Sequence, residues 1–162
     1  MRLSFKRLCA YLIDNAVILL YALVLFGVTM GLVSLGSVSS IQRGPIEGQL
    51  IGLFTLTIPI VVAFTWMELR NGQTPGKRLM KLRVSNASWM RNVLKFLPWE
   101  LAHLGVHWMY DYANQDMDAP LWVWMVVGTS ELLVLIYGLS VLLSGGRLSL
   151  YDRVVGAEVG EV

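Results

Sequence analysis

Four side chains able to titrate or bind a metal fall on one line in the third apolar stretch of the chain. Glu100, His103, His107 and Asp111 are spaced three, four and four residues apart. On an α-helix that spacing makes a single polar stripe. In a membrane, such a stripe suits a helix that faces a protein interior or a water-filled path, because polar groups facing lipid are costly. Glu-x-x-His is also a ligand spacing of di-metal helix bundles. One copy supplies only part of such a site. The His-Glu-x-x-His spacing of zinc proteases is absent, since Trp99 precedes Glu100. No metal and no other cofactor is expected. The plainer role is a set of interhelical hydrogen bonds, with Glu131 as a partner.

Another carboxylate, Asp14, lies two helical turns past Arg7, roughly 10 Å along the axis and on nearly the same face. Arg7 can keep its guanidinium at the headgroups while its stem lies along the helix. Asp14 is deeper and expensive there unless protonated, paired or wet. A carboxylate that changes protonation state is what a proton-coupled carrier needs. The alternative is an Asp14 that pairs with Arg153, Arg7 or a helix end and locks the bundle. Water reaching Asp14 favours the carrier, and a dry, paired Asp14 favours the lock. Asp152 and Arg153 follow the last apolar run after the Ser144-Gly145-Gly146 break. They read either as a paired gate or as a solvated pair worth little energy. Asp14, Glu100, His103, His107 and Glu131 are the candidate ion or proton pathway. Arg7, Asp14 and Asp152 are expected in one cluster, with an excess carboxylate unless Arg153 or another basic residue joins.

These groups need a scaffold, and the composition says which kind. Of 162 residues, 56% are apolar and 15% charged, against about 25% charged in a soluble domain. Mean hydropathy is +0.60. Four stretches are long enough to cross a hydrocarbon core of about 30 Å, at about 8–35, 48–69, 92–112 and 121–143. The third is dense in polar residues, and a re-entrant or interfacial helix is its competing reading. Pro59 should kink the second and leave a carbonyl that needs a partner from a neighbouring helix or water. Arg2, Lys6 and Arg7 could head a signal peptide. The apolar run behind them is too long for one and contains Asp14, so it reads as a retained span. The lone Cys9 allows no internal disulfide and reads as a small hydrophobe. Gly27-x-x-x-Gly31 and Gly48-x-x-x-Gly52 are close-packing signals.

The basic residues orient the spans. Three lie in the N-terminal arm, seven between Arg70 and Lys95 and two in the tail, twelve of the 13 in the chain. Only Arg43 lies in the first connecting loop. The loop before the last span holds Asp111, Asp116 and Asp118 and no base. Four crossings place all twelve on one side, which the positive-inside tendency makes cytoplasmic, with both termini there. The expected fold is an all-α integral membrane protein. It is a four-helix transmembrane bundle with a basic amphipathic cytoplasmic segment between the second and third spans. In that segment Leu79 and Leu82 should dip into the interface while Lys77, Arg78, Lys81 and Arg83 meet anionic headgroups of the lipid bilayer. Thr74 before Pro75 should start a helix. A nucleic-acid partner is not expected for a chain so tethered.

Three stretches carry a family likeness. They are Arg7-Leu-Cys-Ala-Tyr-Leu-Ile-Asp14, Asn71-Gly-Gln-Thr-Pro-Gly-Lys-Arg-Leu-Met-Lys-Leu-Arg-Val84 and Ser149-Leu-Tyr-Asp-Arg-Val-Val-Gly156. In this order between apolar spans, the chain resembles the RDD family of bacterial membrane proteins over essentially its whole length. The family's three named charges fall on Arg7, Asp14 and Asp152. Tyr151 stands where a histidine is expected, and Ala157 where many relatives have threonine. The resemblance implies a multi-span inner-membrane protein with a suggested role in transport, sometimes linked to cation–proton exchange, and no settled substrate. The expected function is therefore a transporter or transport-associated protein for a cation or small solute. The alternative is a non-transporting protein that binds a partner protein, lipid or envelope component. No enzyme activity is expected, and a homo-oligomer is plausible for so small a bundle.

Overall fold

The computed structural model describes residues 2–36 and 44–162. Arg43 lies outside the described residues. The first helix, α1, spans Leu3–Ser34. The second span is built from α2 (Pro45–Gly52), one π turn (Leu53–Thr57) and α3 (Ile58–Asn71), continuous over residues 45–71. A short α4 (Pro75–Leu79) and strand β1 (Leu82–Ser85) lead to α5 (Trp89–Asn114). The chain ends with α6 (Leu121–Leu143), α7 (Leu150–Val155) and strand β2 (Glu158–Glu161).

Three of these helices are long and apolar enough to cross a membrane: Leu3–Ser34, the run Pro45–Leu79, and Leu121–Leu143. Among the three, α1 is the least covered, with none of its most apolar window buried. At 26 residues α5 is as long as a span but carries Arg91, Lys95, Glu100, His103, His107 and Asp111. It packs along α6 and against α2 and α3, so those groups have protein beside them.

Two prolines explain how the long helices are tied together. Pro59 has no N–H for the carbonyl of Thr55, four residues back. The Tyr21 hydroxyl of α1 donates to that oxygen at 2.8 Å. The partner expected from a neighbouring helix is therefore present, and the π turn sits just before the proline, where the helical ladder is already broken. Pro98 inside α5 frees the carbonyl of Leu94 in the same way. The Tyr137 hydroxyl of α6 fills it at 3.0 Å.

The all-helical expectation needs correction at one end. Strands β1 and β2 pair antiparallel, with Val84 opposite Val159 and Leu82 opposite Glu161. Leu82 and Val84 alternate with Arg83 and Ser85, the period-two pattern of a half-buried strand. Leu82, Val84, Ala157 and Val159 form a small core against Ala10 of α1. Leu82 is thus withdrawn from any interface, while Leu79 stays exposed.

Candidate functional site

Where α1 begins, α3 ends, α5 begins and α7 follows α6, six charged side chains interlock. Arg7 donates to Asp152 Oδ2 at 2.8 Å and to the Gly146 carbonyl at 3.1 Å. Arg91 donates through Nε to Asp152 Oδ1 at 2.7 Å and through NH1 to Glu68 Oε2 at 2.6 Å. Lys77 donates to Glu68 Oε1 at 2.8 Å and lies 3.9 Å from Asp14 Oδ2. Asn92 donates to Glu68 Oε2 at 3.0 Å. Cations and carboxylates alternate in the order Arg7, Asp152, Arg91, Glu68, Lys77, Asp14. The three positive and three negative charges balance, so the excess carboxylate expected from sequence is cancelled by Lys77 and Arg91. Nearly all of this is dry: Asp14 is 2% exposed, Glu68 2% and Arg91 1%.

Local sequence positions each member. Ser149 caps α7, and its hydroxyl and Asp152 form a reciprocal capping box, so Asp152 also accepts the Ser149 N–H at 2.9 Å. Burial alone would push the Asp152 carboxyl up. Arg91 and then Arg7, with Ser149, overcome this and hold it below the usual carboxylate range. Asp14 accepts from the Thr74 hydroxyl at 2.7 Å and from the Gly76 N–H at 2.8 Å. Thr74 does begin α4, yet its hydroxyl serves Asp14 rather than capping its own helix. Gly76 is required by proximity: a Cβ there would lie 2.0 Å from the Ala10 carbonyl oxygen.

A second polar region runs between the second span and α5. Glu100 accepts from Gln49 Nε2 at 2.7 Å and from the Thr57 hydroxyl. The His103 and His107 rings meet edge to face, 4.5 Å between centroids. They press on the glycine pair of α2. A Cβ at Gly48 would come within 2.7 Å of His107, and one at Gly52 within 2.5 Å of His103. Gly48-x-x-x-Gly52 therefore makes room for two imidazoles. Gly27 and Gly31 have nothing within 4 Å of a Cβ position among the described residues. Gln49 Oε1, His103 Nδ1 and His107 Nε2 are buried with no hydrogen-bond partner among the described residues. Each such atom costs about 1–3 kcal/mol if it stays unpaired.

The RDD family model matches residues 3–156. The chain belongs to the RDD family. No curated protein and no solved structure matches it.

The three charges that mark the RDD resemblance, Arg7, Asp14 and Asp152, all enter the network, but not as one contact. Arg7 reaches Asp152, and Asp14 joins through Lys77, Glu68 and Arg91. Arg153 is exposed and contributes nothing to the network. Lys77, expected at the membrane surface, is 7% exposed and bound to Glu68. Two buried carboxylates drew it inward. Arg78, Lys81 and Arg83 are exposed.

Glu100, His103 and His107 share the face turned to the second span, and Val106 is exposed on another face. Asp111 stays on its own helix and accepts from Gln115 at 3.0 Å. Glu131 does not meet the stripe: it is exposed on α6 beside Leu132 and Leu135. Among the described residues no three His, Cys, Asp or Glu side chains converge on a metal position.

Sequence reading missed Glu68, Arg91, Asn92, Gln49 and Thr57. A signal existed for two of them. Glu68 is the single charge ending a long uncharged run, and Arg91 is the base nearest the start of the next helix.

Proposed function

We propose that this RDD family member is a bacterial inner-membrane transporter or transport-associated protein. It moves a cation or small solute with a mechanism open to proton coupling, and no catalytic step belongs to it. The observation that carries this reading is the seam of Glu100, His103 and His107 between α5 and the second span. Ionisable groups there are costly in a membrane and mark pathways more often than packing. Purified protein in liposomes, with internal pH followed as Na⁺, K⁺ or other cations are added outside, tests it. A cation-dependent pH change is expected, and none with any ion overturns the reading.

A specific observation favours a second reading, a non-transporting protein that binds a partner, lipid or envelope component. Asp14 is buried and bonded to Thr74 and Gly76, the dry arrangement of a lock. In either reading the network fastens helix ends, and exposed Arg78, Lys81 and Arg83 beside exposed Leu79 suit anionic headgroups. The uncovered α1 leaves room for a homo-oligomer.

The proposed topology has four crossings and cytoplasmic termini. Its support is that the network gathers the start of α1, the end of α3, the start of α5 and the segment after α6 at one end. Reporter fusions after Arg43, Arg83, Gln115 and Val162 should read out, in, out, in. An external Val162 overturns the four-span topology.

A further inference from the structure

Five buried side-chain polar atoms lack a hydrogen-bond partner among the described residues: Gln49 Oε1, Thr65 Oγ1, Asn92 Oδ1, His103 Nδ1 and His107 Nε2. All five belong to the second span or to α5, which run antiparallel along one seam. His107 lies against Gly48 and His103 against Gly52. Glu100 accepts from Gln49 and Thr57. Further along, Asn92 meets Glu68, with Thr65 one turn before Glu68 on α3. From Asn92 to His107 is about 22 Å of helix, most of a hydrocarbon core of about 30 Å. Lys95 lies between these ends. Its ammonium sits 5.5 Å from the Phe64 ring and 5.6 Å from that of Phe96, with no hydrogen bond or ion pair among the described residues.

Buried polar atoms without protein partners are the usual place for ordered water. Here they recur on two packed helical segments, the second span and α5, rather than scattering through the molecule. Two are amide oxygens, which accept only. One is a hydroxyl and two are ring nitrogens, which can give or take a proton. We propose that the seam holds a file of water and carries protons between His107 and the Glu68 network, bypassing Asp14. This rests on the transport reading and names its coupled species and route. The imidazoles press so closely on Gly48 and Gly52 that a methyl group would collide. There the rings themselves carry the proton, and water is placed only in the stretches between them and the Glu68 network. A proton taken by the free nitrogen of an imidazole is matched by one released from the other nitrogen, so each ring returns to neutral. Lys95 passes a proton by giving one to water on one side and regaining one from the other.

Thr65→Val tests the route because it is nearly isosteric and removes an oxygen with no hydrogen-bond partner among the described residues. In proteoliposomes under an imposed pH gradient, proton flux should fall at least tenfold in Thr65→Val. Thr65→Ser should keep it, and both variants should fold as well as the parent. Solid-state NMR of the protein in bilayers, with labelled histidine, should show water contacts at both imidazoles. Dry imidazoles overturn the seam whatever the flux. Wet imidazoles with unchanged flux in Thr65→Val overturn the route, and loss of flux in Asp14→Asn alone would then leave transport standing. No flux in the parent protein with any ion overturns both the route and the transport reading.

Discussion

Arg91→Ala should be the most damaging single substitution at the charged end, costing about 3–5 kcal/mol of stability. Arg91 holds Glu68 through one nitrogen and Asp152 through another, while its guanidinium lies 5.4 Å over the Tyr151 ring. Truncation leaves two dry carboxylates short of a counter-charge, and a buried charge stripped of its partner costs far more than the pair contributed. Glu68 would keep Lys77, and Asp152 would keep Arg7, so the chain should still insert but melt earlier. Arg91→Lys should be intermediate, because one ammonium cannot span two carboxylates as a planar fork does. Thermal unfolding in detergent or nanodiscs measures this. An unchanged melting temperature in Arg91→Ala would show that the network is not what fastens the helix ends.

Gly76→Ala should be nearly as severe, with a loss of about 3 kcal/mol once overpacking and broken hydrogen bonds combine. The new methyl would meet a backbone carbonyl, that of Ala10, and no rotamer change relieves that. Helix α4 would have to withdraw from α1. Its movement would take the Gly76 N–H and the Thr74 hydroxyl from Asp14 and strain Lys77 against Glu68. Gly27→Ala is the matched control, since nothing lies near its Cβ position, and it should be neutral. The yield of monodisperse folded protein compares the two. Equal yields would mean that α4 is not seated on α1 as described.

The helices were legible because long uncharged runs admit few other structures. Helix α6 begins and ends where the apolar run does. The one-face spacing of Glu100, His103 and His107 also survived, because a 3.6-residue period fixes a face before any neighbour is known. Legibility failed where a partner decides. Lys77 looks like its neighbours Arg78 and Lys81 in sequence, and only the nearness of Glu68 and Asp14 in space makes it a buried counter-ion. Strands β1 and β2 are four residues each and pair across nearly half of the chain, so the alternation of β1 is too short to name a strand and its partner too distant to foresee. Arg7 and Asp14 share a helix face yet bind different partners, which spacing alone cannot foresee.

The pairing of β1 with β2 also sets an order of assembly. Residues 82–85 leave the ribosome long before residues 158–161, and Arg7 meets Asp152 across a separation of 145 residues. Until that late stretch is made, Arg7 lacks its carboxylate, Leu82 and Val84 have an open strand edge, and Arg91 is matched only through Glu68. The charged end therefore closes only once residues 152–161 have been made. A nascent chain halted after α6 would present unmatched arginines and a bare strand to whatever quality-control machinery watches the membrane.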